Sequence, residues 1–252
     1  MTPEAAEAHP YDPSLSWLWI AERVRAWDER VHVVPWHPTK VWAQVIRDRL
    51  AIWLLLTCGF RSVEVLALRV GGDRPHVVLA AMGNVAAITL DDDDLPSWQR
   101  RVVVLDDFPG LGALLHLYLD EARPLLRLRT LPQSNTLLLD SRGLSCCSST
   151  FESRYYARLR PRIFGPTRVT LYDLRRACFG LLHEGLGLPM PTVLTALGIK
   201  RSGQSMFVRP AARLTTLIST CRPDAETDAE QVVADLRGWL ERVADDFRHH
   251  RG

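Results

Sequence analysis

The side chains best suited to chemistry in this sequence are arginines. The chain carries 31 lysines and arginines, of which only Lys40 and Lys200 are lysines. A guanidinium is planar, permanently charged and presents paired donors that match a phosphate or a carboxylate. Selection for phosphate binding and the codon bias of a GC-rich genome would both produce this skew, and composition alone leaves them open. The five cysteines, Cys58, Cys146, Cys147, Cys178 and Cys221, include no C-x-x-C pair and form no His/Cys cluster with zinc-ligand spacing. No metal and no other cofactor is therefore expected. An odd number of scattered cysteines suggests reduced thiols and a cytoplasmic setting. Tyr118, Tyr155 and Tyr156 carry nucleophilic hydroxyls, but their helical spacing reads as core or surface packing.

The elements that must position these groups emerge from composition and periodicity. The chain has 252 residues, 47% hydrophobic and 24% charged, with a formal net charge of +2. That is ordinary for a globular protein with a sizeable core. Bulk charge does not announce a nucleic-acid partner, although a basic face can exist at neutral net charge. The acidic, proline-containing first residues do not read as a signal peptide. The longest apolar run, residues 50–59, is too short to cross a bilayer and reads as a buried helix, so no membrane association is expected.

Trp17, Ile20, Val24 and Trp27 recur at three and four residues and predict a helix over residues 14 to about 30. Pro35 and Pro38 break the pattern. Thr39 is a suitable N-cap for a helix to residue 57, closed by Gly59, and a short helix follows over about 62–69. Residues 76–81, 85–90 and 101–105 are short and β-branched, with a Gly83-Asn84 turn, and predict a small antiparallel sheet. Helices are expected over about 110–128, 148–160, 171–184, 191–197 and 203–220. A final helix over 227–249 opens with the capping box Thr227-x-x-Glu230. Its apolar stripe comprises Val232, Val233, Leu236, Trp239, Leu240, Val243 and Phe247. The fold class is mainly α with a small antiparallel β-sheet. Three regions are expected: 1–37, an N-terminal arm and helix; 38–222, the main domain; and 223–252, the C-terminal amphipathic helix.

Two segments carry a family resemblance. Residues 54–69 read LLLTCGFRSVEVLALR: an apolar helix, threonine, glycine, aromatic, arginine, then glutamate and leucines. Residues 170–179 read TLYDLRRACF, followed by LTALG at 194–198. The first resembles the first arginine box of the tyrosine recombinases, or phage integrases. The second resembles that family's H-x-x-R box and the Leu-Gly pair preceding its last histidine. The order of elements between the boxes fits as well, so the resemblance spans roughly residues 38–210 and implies the family's catalytic-domain fold. In such enzymes a tyrosine attacks a DNA phosphodiester, two arginines stabilise the developing charge, and a lysine and histidines move protons, without a metal. By position, Arg61 and Arg175 would be the phosphate clamp, with Glu64 and Asp173 orienting the helices and the arginines.

The departures from the pattern are equally specific. Tyr172 replaces the histidine of H-x-x-R, and a phenol is a poor proton shuttle near neutral pH. Ile199 stands where a histidine or tryptophan is expected after Gly198. The hairpin over 76–105 contains no lysine; Arg100 and Arg101 are basic there, but a guanidinium is a weak acid. Phe207, in the nucleophile's region, has no hydroxyl. The acidic run 91–94 sits in the hairpin that in the family approaches DNA, where it would repel phosphate. The resemblance thus implies a recombinase-like protein that does not cut DNA and binds DNA or a recombinase partner, with a remnant site of Arg61, Arg175 and Tyr172. Arg61, Arg175, Lys200, Arg201, Arg100 and Arg101 are its candidate DNA contacts. Self-association, or docking to another recombinase, would use the helix at 227–249. An active integrase, or one carrying an engineered Tyr→Phe change, and a protein-interaction scaffold that no longer binds DNA are the alternatives.

Overall fold

The computed structural model describes residues 16–32, 39–79, 85–90, 100–104, 109–127, 134–185 and 187–199. The helices expected over 203–220 and 227–249, together with Lys200, Arg201 and Phe207, lie outside the described residues.

The chain is built around α2 (Lys40–Thr57). Thr39 caps it as expected, its hydroxyl accepting from the Trp42 amide at 3.2 Å. From Ile46 to Thr57 every residue is buried: residues 50–56 are apolar all round, as expected of a central helix, and the buried Arg47, Asp48 and Arg49 are ion-paired. Helix α1 (Trp17–His32) lays Trp17, Ile20, Ala21, Val24 and Trp27 into this same core. It packs on α8 (Leu171–Gly180) and α7 (Arg160–Phe164), so the helix that precedes residue 38 shares one core with helices far along the chain.

Two charged side chains fix α1 to α2. Arg49 grips Asp28 with two hydrogen bonds, 2.6 and 2.7 Å, and the Trp53 indole adds a third at 3.2 Å. Asp28 is 0% and Arg49 1% exposed. A buried pair of this kind is tolerated because both charges are matched in geometry and in number of bonds.

After the short helix α3 (Ser62–Ala67), strands β1 (Val77–Leu79), β2 (Val85–Leu90) and β3 (Arg101–Val104) form an antiparallel sheet in the order β1-β2-β3. Val77 pairs with Ile88, and Ile88 with Val103. Val77, Ile88 and Leu90 are buried while Val78 and Val102 are exposed, the alternation expected when one face of a sheet covers a core. Helix α4 (Pro109–Leu117) packs against β2.

Three of the helices anticipated as regular contain wide turns; one, Leu181–Gly185, follows α8, and the other two precede prolines. Between α4 and α5 (Arg123–Leu126) lies a π-helical stretch, Tyr118–Ala122; between α6 (Ser148–Arg154) and α7 lies another, Tyr155–Leu159. In each, a backbone bond spans five residues: Arg123 to Tyr118 and Arg160 to Tyr155. In both of these a proline follows one residue later, Pro124 or Pro161. Proline lacks an N–H, and its ring collides with the preceding turn of a regular helix. A widened turn immediately ahead of it lets the helix continue.

Candidate functional site

Arg61 stands at the exit of α2. Gly59, with φ +59°, turns the chain out of that helix, and Arg61 opens α3. Its amide donates to the Glu64 carboxylate at 2.7 Å, while its guanidinium lies 4.0 Å from the same carboxylate. Glu64 therefore orients both the helix start and the side chain. The Arg61 side chain is 36% exposed.

Arg175 stands in the first turns of α8. Thr170 and Asp173 form a capping box: the Asp173 amide donates to the Thr170 hydroxyl, and the Thr170 amide donates to the Asp173 carboxylate at 2.8 Å. The Asp173 carboxylate also accepts from the Thr170 hydroxyl and from Arg176, at 2.7 and 3.3 Å. Asp173 thus fixes the helix start, as expected, and the arginine it holds is Arg176. Arg175 is only 5% exposed and donates to the Leu197 carbonyl at 2.6 Å. That carbonyl partner is not legible in the sequence. Its only trace is the Leu-Gly pair itself, which places a left-handed turn, Gly198 with φ +59°, one residue after the accepting oxygen.

The two turns meet through Gly59. A Cβ at this position would run into the Leu197 side chain and would stand 3.1 Å from the Cys178 sulfur. The Cys178 thiol donates to the Thr57 carbonyl at 3.2 Å. The turn that carries Arg61 thus rests on Leu197, whose carbonyl binds Arg175, and on Cys178, one helical turn beyond Arg175. A glycine is needed at this contact both for its backbone angle and for the close approach.

The remaining positions of the site are apolar or phenolic. Ile199 is half-buried against a small cluster of Cys178, Phe179, Leu182, Val193, Leu194 and Leu197, so its place is filled by packing. Tyr172 is 46% exposed, and burial of its inner part raises its pKa. Arg100 is exposed at the edge of β3, and Arg101 is the first residue of that strand.

Among the other tyrosines, Tyr118 and Tyr155 are fully buried, and their hydroxyls donate to the Leu137 and Val169 carbonyls at 3.1 Å each. Burial pushes the Tyr118 hydroxyl up to about 12 and raises that of Tyr155. Both serve as core struts and are not placed to attack a ligand. Cys147, exposed at the start of α6, has its thiol lowered to about 7 by the Ser149 and Thr150 hydroxyls. No group of His, Cys, Asp or Glu that could hold a metal occurs among the described residues, and none of their helices is long and apolar enough to cross a membrane.

The fold is that of the tyrosine recombinases, mainly helical with a small three-stranded antiparallel sheet. In particular, the crystal structure of XerA recombinase superposes on 82% of the chain with a TM-score of 0.53. At 18% sequence identity the likeness is one of fold, and the chain spans 61% of that protein's length. No protein-family model and no curated protein matches the sequence.

Proposed function

We propose that this chain is a recombinase-like protein that binds DNA through backbone phosphate, at Arg61 and Arg175, and does not perform strand transfer. The observation that carries the reading is the meeting of the two arginine turns at Gly59, in a recombinase fold. The sequence departures bear on catalysis. A proton would have to be delivered to the leaving oxygen, yet Tyr172, Ile199 and a lysine-free hairpin occupy the positions that deliver it in the family. Phe207 stands in the region of the nucleophile. Lys200, Arg201, Arg100 and Arg101 are further candidate phosphate contacts. The stripe at 227–249 is the candidate surface for self-association or for docking an active recombinase, and the role is that of placing or regulating recombination at a DNA site.

The test is binding of labelled duplexes of unrelated sequence across a salt series. Arg61→Ala should weaken all of them alike and lower the salt slope by about one, because a phosphate contact carries no base information. Loss of preference for one base at constant overall affinity would contradict a phosphate role. Arg175→Ala should act the same way, with thermal melts in parallel because it also loses the Leu197 bond.

One observation favours a second reading. Arg175 is buried and already committed to a carbonyl, as it would be in a scaffold that keeps the fold for protein contacts alone. Duplex affinity indifferent to Arg61→Ala would select that reading.

A further inference from the structure

The face beside the second arginine turn carries aromatic rings among guanidinium groups. Tyr156 and Tyr172 are 38% and 46% exposed. They come from different elements that are joined at one point. The Tyr155 hydroxyl donates to Val169 at 3.1 Å, which seats the π-helical stretch against the segment leading into α8. Tyr156 follows directly and packs edge-on to Tyr155, ring centres 5.1 Å apart. It is near enough to the first turn of α8 for the Leu171 backbone and Asp173 to act on its hydroxyl.

Cations flank both rings. Arg160 lies over the Tyr156 ring, 5.6 Å from its centre. Tyr172 and Arg176 stand four positions apart on α8, neighbours on one helix face, and Arg168 is exposed on the loop between the two elements. The acids near this face are already engaged. Asp173 is held by Arg176 and by the α8 cap, and Glu152 accepts from the Ser148 hydroxyl at 2.8 Å.

A duplex offers such rings little, since its bases are stacked on one another and its outer surface is phosphate and sugar. Exposed bases have free π-faces, which stack on aromatic side chains while neighbouring arginines hold the backbone. From the alternation of exposed rings and guanidiniums we infer that this face binds single-stranded nucleic acid, Tyr156 and Tyr172 each stacking on a base. The inference rests on the phosphate-binding reading above and adds the form of nucleic acid the site prefers.

Fluorescence anisotropy of the full chain tests it, with a labelled oligothymidine and a labelled duplex of the same length. Unlabelled single strand should displace the duplex from the wild-type chain. Tyr172→Ala and Tyr156→Ala should each weaken single-strand binding by about 5- to 100-fold, the range for loss of one base stack, and Tyr156→Ala, outside the Arg61–Arg175–Tyr172 site, should leave duplex binding unchanged. Tyr172→Phe keeps the ring and should bind as the wild type does. Duplex binding with no displacement by single strand, or an Ala variant that binds single strand normally, would overturn this inference and leave the phosphate reading standing. Binding of neither form would overturn both.

Discussion

Asp28 and Arg49 show how little of a buried charge is written in local sequence. They are 21 positions apart, on separate helices, and no motif joins them. In the sequence each is one polar residue at the margin of an apolar stripe. In the fold they are the polar pin between α1 and α2. Removing one charge of such a pair leaves the other buried and unmatched. Asp28→Asn should therefore cost about 3–5 kcal/mol in a denaturant or thermal melt. The exposed Arg25–Glu29 pair, 3.3 Å apart, provides the contrast: Glu29→Gln should change stability by no more than about 1 kcal/mol. Arg61 and Arg175, by comparison, are legible as residues because each sits in a patterned box. Their different exposures are not, because burial of Arg175 depends on Leu197, which is 22 positions away.

At the scale of elements, most of the helices and all three strands follow from period and punctuation. Thr39 and Gly59 bound α2, Thr170 and Asp173 cap α8, and the alternation of Val77, Val78, Ile88 and Val102 gives the sheet its inner and outer faces. The wide turns at Tyr118–Ala122 and Tyr155–Leu159 are not legible in the same way. The prolines behind them mark a break in a hydrogen-bond ladder but do not say whether the helix ends or widens, and neighbouring packing decides that. The contact between the arginine turns makes its own prediction. Gly59 and Gly187 both have positive φ, +59° and +66°, but nothing lies within 4 Å of a Cβ at Gly187. Gly187→Ala should cost only the backbone strain, about 1–3 kcal/mol. Gly59→Ala should cost clearly more, because Leu197 and Cys178 must also move. Equal losses in paired melts would mean that the two turns are not in close contact.

For the molecule as a whole, the sequence and the structure agree on a mainly helical fold with a small sheet, and the likeness to XerA recombinase is in that fold. Function is a separate matter, since one fold can host many unrelated functions. The central proposal is that this fold holds DNA phosphate without transferring a strand. The measurement that tests it most directly is incubation of the full chain with nicked suicide substrates carrying candidate sites, followed by denaturing gel electrophoresis, with native binding to the same substrates measured in parallel. The predicted result is a salt-sensitive complex under native conditions and no protein–DNA adduct after denaturation. An adduct that survives denaturant would contradict the proposal, because a covalent phosphodiester link requires a nucleophilic hydroxyl, which Phe207 lacks.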